Sequence, residues 1–298
     1  MTQCPVCESP AESVEYVCQV QPYIGEKLAG LRCGGCGLLR FPDNTGDYQH
    51  GLATSQFESA LKSFRNATED RPGREFHMAE MGIEILERPD AEVSFFGAGL
   101  NTDWQWLQRR YPQVRTKLVD LENMQEAENF EAIPVATPSD VVIASEVIEH
   151  FTEPVAHFES LLRLLKDDGV LICSSNIYDG SNIALHQYPF VPGHVAYWTP
   201  LSLIKVAADH GCFVDFRTPE VGLTRGGPRK KYIIFYKRTE TLFRTGEGGE
   251  TVLILGAAGG SASELQNLSV SALLTRIATQ GTDGQKQALQ QLVQSLRK

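Results

Sequence analysis

The sequence predicts an α/β fold, a mainly parallel sheet wound with helices on both faces. A small metal-binding ribbon precedes it and a helical extension follows. Three observations carry this expectation. From about residue 92 onward, short apolar runs alternate with amphipathic stretches. The first of those runs opens onto Gly97-Ala98-Gly99, a glycine-rich turn ahead of a helix. Four of the seven cysteines fall into two Cys-x-x-Cys pairs near the N-terminus.

The pairs are Cys4-Pro5-Val6-Cys7 and Cys33-Gly34-Gly35-Cys36, with 25 residues between them. Each tight knuckle presents two thiolates, and two knuckles together close a tetrahedral four-sulfur shell of the kind that holds zinc. Gly34 and Gly35 inside the second pair, and Gly37 after it, let backbone amides point at the sulfurs. Four thiolates leave no open coordination position, so the expected zinc is structural. Disulfides or free thiols are the alternative, but a reducing compartment and the doubled spacing favour the metal. Cys18, Cys173 and Cys212 read as ordinary buried thiols.

The zinc-binding module is assigned to residues 1–46, ending in the turn-rich run from Phe41 to Asp47. Residues 47–90 read as a helical connector or lid. Phe57, Leu61 and Phe64 sit at helical spacing, and so do Phe76, Ala79, Ile83 and Leu86, with Arg71-Pro72-Gly73 breaking the two stripes apart. Residues 91–238 form the main domain. Its strands are expected at Val93–Phe96, at Leu118-Val119 ending on Asp120, at Asp140–Ala144 and at Val170–Cys173. Helices are expected at Trp104–Tyr111 and Pro154–Leu165. In such a sheet a ligand binds at the carboxyl ends of the strands, where the strand order reverses. Glycines at 97 and 99 let the backbone approach a ligand, and Asp120 is placed to accept hydrogen bonds from ribose hydroxyls.

The stretch Ser139-Asp-Val-Val-Ile-Ala-Ser-Glu-Val-Ile-Glu-His150 resembles the fourth-strand segment of class I S-adenosylmethionine-dependent methyltransferases. Phe151-Thr152-Glu153-Pro154, the run from Leu161 to Ile172, His194–Pro200 and His210-Gly211-Cys212-Phe213 continue the resemblance in order, over about residues 75–238. It implies a Rossmann-like methyltransferase fold that uses S-adenosylmethionine. It also implies that Gly97, Ala98, Gly99 and Asn101 cradle the methionine portion, Asp120 holds the ribose, Leu121 packs on the adenine, and Ser145 and Glu146 line the donor side. Two departures stand out: Phe95 occupies the place of a usual acidic residue, and Asn101 that of a third glycine. Asn tolerates a left-handed backbone, so the second departure is mild. The first removes a carboxylate that commonly orders the donor's amino group, a place that Asn101 or Asp103 is positioned to take. The whole arrangement partly resembles sugar C-methyltransferases, whose Cys-x-x-Cys pairs precede the catalytic domain.

For the chemistry, His194 and His150 are the candidate bases, because imidazole titrates near neutrality. Tyr197 and Glu149 are candidates for orienting an acceptor, and His186 and Tyr188 for a substrate lid. The expected partner is a small-molecule or sugar-like acceptor. The net charge of −10 and pI near 5.2 disfavour nucleic acid, as do three basic against five acidic residues in the ribbon. An RNA methyltransferase is thus a weaker alternative than a degenerate scaffold that has lost its activity. No apolar run approaches the ~20 residues a membrane span needs, and the start lacks a secretory signal, so a cytoplasmic protein is expected. Residues 239–298 form a C-terminal extension. Its Gly256–Gly260 turn is too near the end of the sequence to begin another sheet, while Leu289, Leu292, Val293 and Leu296 make an apolar face suited to a homodimer contact.

Overall fold

A computed structural model describes residues 2–45, 67–217 and 230–237, and within them the chain builds two sheets. The expected Phe57–Phe64 stripe and the whole extension over 239–298, with its dimer-contact helix, lie outside the described residues.

The larger sheet has seven strands: β5 (Glu92–Phe96), β6 (Arg115–Asp120), β7 (Phe130–Ala132), β8 (Ser139–Ser145), β9 (Leu165–Asn176), β11 (Phe213–Arg217) and β12 (Lys230–Tyr236). Their order is β11-β12-β9-β8-β5-β6-β7, and only β12 runs antiparallel to its neighbours. The runs at 93–95, 141–144 and 170–173 are its central rungs, and their side chains are almost wholly withdrawn from water, as befits strands covered on both faces.

From β5 the chain steps outward through α2 (Asp103–Arg110) to β6 and β7, then returns to start β8 on the other side of β5. The order therefore reverses between β5 and β8. Right-handed crossovers running in opposite directions place α2 on one face and α3 (Pro154–Arg163) on the other. Helix α1 (Arg74–Leu86) lies against α2 and packs on β8 and β9. Its Phe76, Ala79, Ile83 and Leu86 stripe is buried as the spacing requires, and Gly82 lets it approach Val141 closely. Strand β9 starts at Leu165, ahead of the expected Val170, and takes in the polar run Lys166–Gly169. Gly169 permits this, since a Cβ there would stand 2.7 Å from the Asp140 carbonyl oxygen.

The smaller, antiparallel sheet contains β1 (Thr2–Gln3), β2 (Pro10–Val17), β3 (Lys27–Cys33) and β4 (Leu39–Arg40). Its fifth strand is β10 (Ala196–Tyr197), which immediately precedes α4 (Pro200–Asp209). The ribbon thus finishes its sheet with a strand that follows β9 in the chain. Among the described residues, no helix is long and apolar enough to cross a membrane.

Candidate active site

At the end of β5 the backbone turns through Gly97 (φ +67°) and Gly99 (φ +50°), left-handed values that exclude most side chains. A Cβ on Gly97 would also stand 2.8 Å from Val147 Cγ2, across the point where the strand order reverses. Asp120, at the end of β6, organises this loop. One carboxylate oxygen accepts from the Gly99 amide at 2.9 Å, the other from the Leu121 amide at 2.7 Å. A carboxylate has about four lone-pair sites, so two backbone bonds leave capacity for a diol. Leu121 is 65% exposed, an apolar side chain beside that carboxylate with nothing packed over it. Gln125 ties the loop down from outside, donating to the Gly99 and Asn101 carbonyls at 2.9 and 3.0 Å.

Across the reversal point, β8 ends in Ser145 and Glu146, and Glu146 adopts a left-handed backbone (φ +56°). A non-glycine residue held there stores strain of order 1 kcal/mol and is worth a functional look. Its carboxylate accepts from Ser174 Oγ at 3.0 Å and lies 3.6 Å from Arg74 Nη1. Arg74 and Glu75 open helix α1, and both are buried. Burial, and next the Asp103 carboxylate, push Glu75 up to about 8, against the pull of Arg74, Asn101 and Ser145.

Asn101 and Asp103 are already engaged. Asp103 accepts from the Gly73 and Glu75 amides at 2.6 and 3.1 Å, capping α1 from outside, and Asn101 Oδ1 accepts from the Asp103 amide at 2.7 Å. Phe95 is 2% exposed and part of the sheet's core.

The second group of candidates meets on the far side of Glu146. Glu149, His150 and His194 bring three donor atoms within 4.8 Å of one another, a set that could also hold a metal ion. The short turn carrying the first two is clamped: Trp198 Nε1 donates to the Ile148 carbonyl at 2.8 Å, and the Val195 amide to the Glu149 carbonyl at 2.9 Å. His150 Nδ1 donates to the Gly193 carbonyl at 2.7 Å, and His194 Nδ1 to the Tyr188 carbonyl at 2.6 Å. Carbonyls only accept, so each neutral ring has its lone pair on Nε2. Burial lowers His150 to about 4; burial and then the neighbouring His150 lower His194 to about 3. Both are neutral at pH 7. Glu149 is wholly buried, and burial raises it to about 7; its Oε1 has no hydrogen-bond partner. Tyr188 packs on the His194 ring at 4.3 Å and hydrogen-bonds Ser175 Oγ at 2.7 Å, so it is part of this wall. Tyr197 is 1% exposed, packed between Tyr178 and Tyr188, and His186 instead pairs with Ser181.

The four ribbon cysteines converge as their spacing predicts. Sγ of Cys4 and Cys36 lie 3.7 Å apart, those of Cys7 and Cys33 3.3 Å, and all four within 4.8 Å. A disulfide needs about 2.05 Å, whereas a tetrahedral metal–thiolate centre with bonds of about 2.3 Å sets sulfurs about 3.8 Å apart. Both ribbon distances are far longer than a disulfide, and the four sulfurs could hold a metal ion. The amides of Gly35 and Cys36 point at Cys33 Sγ, each at 3.3 Å, whereas Gly34 and Gly37 donate to carbonyls instead. The hydrogen bond from Cys36 holds Cys4 down to about 5 and raises Cys36 in turn. Cys18, Cys173 and Cys212 are buried and unpaired with other cysteines, as expected.

Sequence reasoning missed Arg74 and Glu75. The signal was available: Glu75 heads the same face as Ala79, Gly82, Ile83 and Leu86, so a carboxylate stands at the top of an apolar stripe.

A family profile described as a methyltransferase domain matches residues 81–215. No curated protein sequence matches the chain. Among solved structures, 1,6-didemethyltoxoflavin-N1-methyltransferase of Burkholderia thailandensis is 16% identical, covering 55% of this chain and 77% of its own at a TM-score of 0.41. The Haloferax volcanii complex of the Trm112 activator with a putative methyltransferase is 15% identical, with 63% and 96% covered and a TM-score of 0.45. The plantazolicin methyltransferase BpumL is 10% identical, with 55% and 84% covered at 0.41. The profile match spans the glycine turn, Asp120 and the Ser139–His150 segment, all on the reversing sheet described above. Over the matched residues 81–215 the chain carries a methyltransferase domain of the class I, S-adenosylmethionine-dependent kind.

Proposed function

We propose that the protein methylates a small-molecule or sugar-like acceptor held beside Glu149, His150 and His194, and that Cys4, Cys7, Cys33 and Cys36 hold a structural zinc ion. One observation carries the reading. The glycine loop tied to Asp120 follows β5, and the turn bearing Glu149 and His150 follows the adjacent parallel strand β8, so both stand at the same carboxyl edge of the sheet. S-adenosylmethionine supplies an activated methyl group on a sulfonium. The protein's part is to align a nucleophile and to remove its proton where needed. Gly97, Ala98 and Gly99 fit a chain pressed against backbone, Asp120 a ribose diol and Leu121 an adenine face. The polar wall of Ser175, Tyr188, His150 and His194 suits a hydroxyl-bearing acceptor, and a neutral imidazole Nε2 is the proton acceptor.

The zinc reading is supported by the sulfur spacing and by two amides directed at Cys33. With four thiolates the ion has no position left for substrate, so it serves the fold.

A degenerate scaffold is the second reading, favoured by the apolar Phe95. Titration calorimetry of the zinc-loaded protein with S-adenosylmethionine and S-adenosylhomocysteine separates the two. Micromolar binding, lost in Asp120→Ala, supports the enzyme; absence of binding to both ligands moves the assignment to the scaffold.

A further inference from the structure

Phe95 leaves the donor's amino group without its usual partner, and the two nearby substitutes are engaged. Asp103 spends both oxygens on the amides that start α1, and Asn101 Oδ1 is held by the Asp103 amide. What lies buried at this edge instead is an arginine next to a glutamic acid, Arg74 and Glu75. Arg74 is 8% exposed, yet its Nε and Nη1 have no hydrogen-bond acceptor. Glu146, its ion-pair partner, stands 3.6 Å from Nη1, beyond hydrogen-bond range. Glu75 lies between the end of the glycine loop and the end of β8, where the Asn101 and Ser145 side chains reach it.

Buried guanidinium N–H groups left without acceptors are destabilising, a cost that a purely structural arginine would not carry without return. A bound carboxylate answers two of them at once in fork geometry. A buried carboxyl with a single cation beside it likewise gains from an ammonium. The amino-acid end of the donor offers both groups on one carbon.

We propose that Arg74 and Glu75 grip that end of S-adenosylmethionine, Arg74 taking the carboxylate and Glu75 the ammonium, in place of a strand-end acid at Phe95. The inference rests on the donor-site reading above. It makes the first turn of α1 part of the ligand site, and it assigns the cap supplied by Asp103 the task of holding that turn in position.

The test is calorimetry with three ligands: S-adenosylhomocysteine, its analogue lacking the amino group, and 5′-methylthioadenosine, which lacks the amino-acid end altogether. Wild-type protein is expected to bind the homocysteine compound about 10- to 100-fold more tightly than either of the others. Glu75→Gln, isosteric and uncharged, should weaken S-adenosylhomocysteine by about tenfold and leave the des-amino analogue and methylthioadenosine unchanged. Arg74→Gln should weaken both compounds that carry the carboxylate and spare methylthioadenosine. The proposal is overturned if wild type binds all three alike, a comparison that needs no variant to fold. It is overturned equally if folded variants lose all three ligands together, the mark of a structural role. Failure of wild type to bind any of the three refutes the donor site itself and this inference with it.

Discussion

Replacing Asn44 with alanine removes an amide that faces three backbone carbonyls, those of Pro189, Val191 and His194, at 3.1, 3.0 and 3.0 Å. The amide has two N–H groups, so two good bonds are shared among three acceptors. At about 0.5–1.5 kcal/mol net for each bond, the loss is about 1–3 kcal/mol. The bond from the Gly193 amide to the Asn44 carbonyl, 2.8 Å, is made by backbone and survives the substitution. For a protein of this size, 2 kcal/mol corresponds to a fall in Tm of about 4–8 °C. Asn44→Asp is the sharper probe. It keeps the shape but sets an acceptor-only group against three carbonyl oxygens, so at pH 7 it should cost more than the alanine. Its carboxyl would be raised in the folded state above the unfolded value of about 3.9. A raised carboxyl loses stability as pH climbs from the unfolded pKa through the folded one, so Asn44→Asp should recover relative to Asn44→Ala at pH 5. Thermal melts of the three proteins at pH 5 and 7 decide it. An aspartate as stable as asparagine at pH 7 would refute the hydrogen-bond account of this contact.

Gly97→Ala meets both a positive φ and the Val147 side chain at 2.8 Å, whereas Gly99→Ala meets only the φ; calorimetry should show the larger loss of donor affinity at 97. Because burial holds His150 and His194 at about 4 and about 3, kcat/KM should persist down to about pH 5 rather than fall near 6.5. A limb centred near 7 would assign the proton acceptor to Glu149 instead. Native mass spectrometry should find one zinc per chain, lost in Cys36→Ala; a second equivalent, lost in His194→Ala, would make the Glu149–His150–His194 cluster a metal site. Burial pushes Asp140 up, but the Glu92 amide, Lys166 and Arg88 together hold it below its ordinary value. Its stabilising effect is therefore present above the unfolded pKa and fades as pH falls toward the folded one, and Asp140→Asn should flatten the acid limb of a pH–Tm curve.

The sheet was legible because its strands are doubly covered, and doubly covered strands read as unbroken apolar runs ending at polar turns: Phe96 at Gly97, Val119 at Asp120, Ala144 at Ser145. The cysteine cluster was legible because its ligands are local pairs whose spacing alone sets the geometry. The start of β9 was not, since Lys166, Asp167 and Asp168 look like a turn. They lie in a register break between Leu165, which pairs with Ser139, and Val170, which pairs with Val141, and an ion network joins Lys166 and Asp168 to Arg88, Asp140 and Glu92. Glu149 and His194 were legible as residue types but not as neighbours, because 45 positions separate them and tertiary hydrogen bonds, Val195 to Glu149, His150 to Gly193 and Trp198 to Ile148, bring them together. Arg74 and Glu75 escaped notice because the resemblance directs attention to the end of β5, whereas the charge lies on a different element.

The ribbon reaches the Glu149–His150 turn through backbone hydrogen bonds. Strand β4 pairs with β10, setting Leu39 opposite Tyr197. The Phe41 amide donates to the Val195 carbonyl at 2.8 Å, and the Val195 amide donates onward to the Glu149 carbonyl at 2.9 Å. At the other end of β10, the Thr199 hydroxyl bonds the Cys36 carbonyl and also accepts from the Ser202 amide at 3.1 Å, capping α4. Gly37 is fitted to that contact: its φ of +74° bends the knuckle, and a Cβ there would stand 3.2 Å from Thr199 Cγ2. The second cysteine knuckle therefore fixes both a helix cap and a strand that holds the Glu149–His150 turn in place. A four-thiolate centre has no coordination position with which to act on a substrate, but through these bonds its closure sets where the two histidines stand.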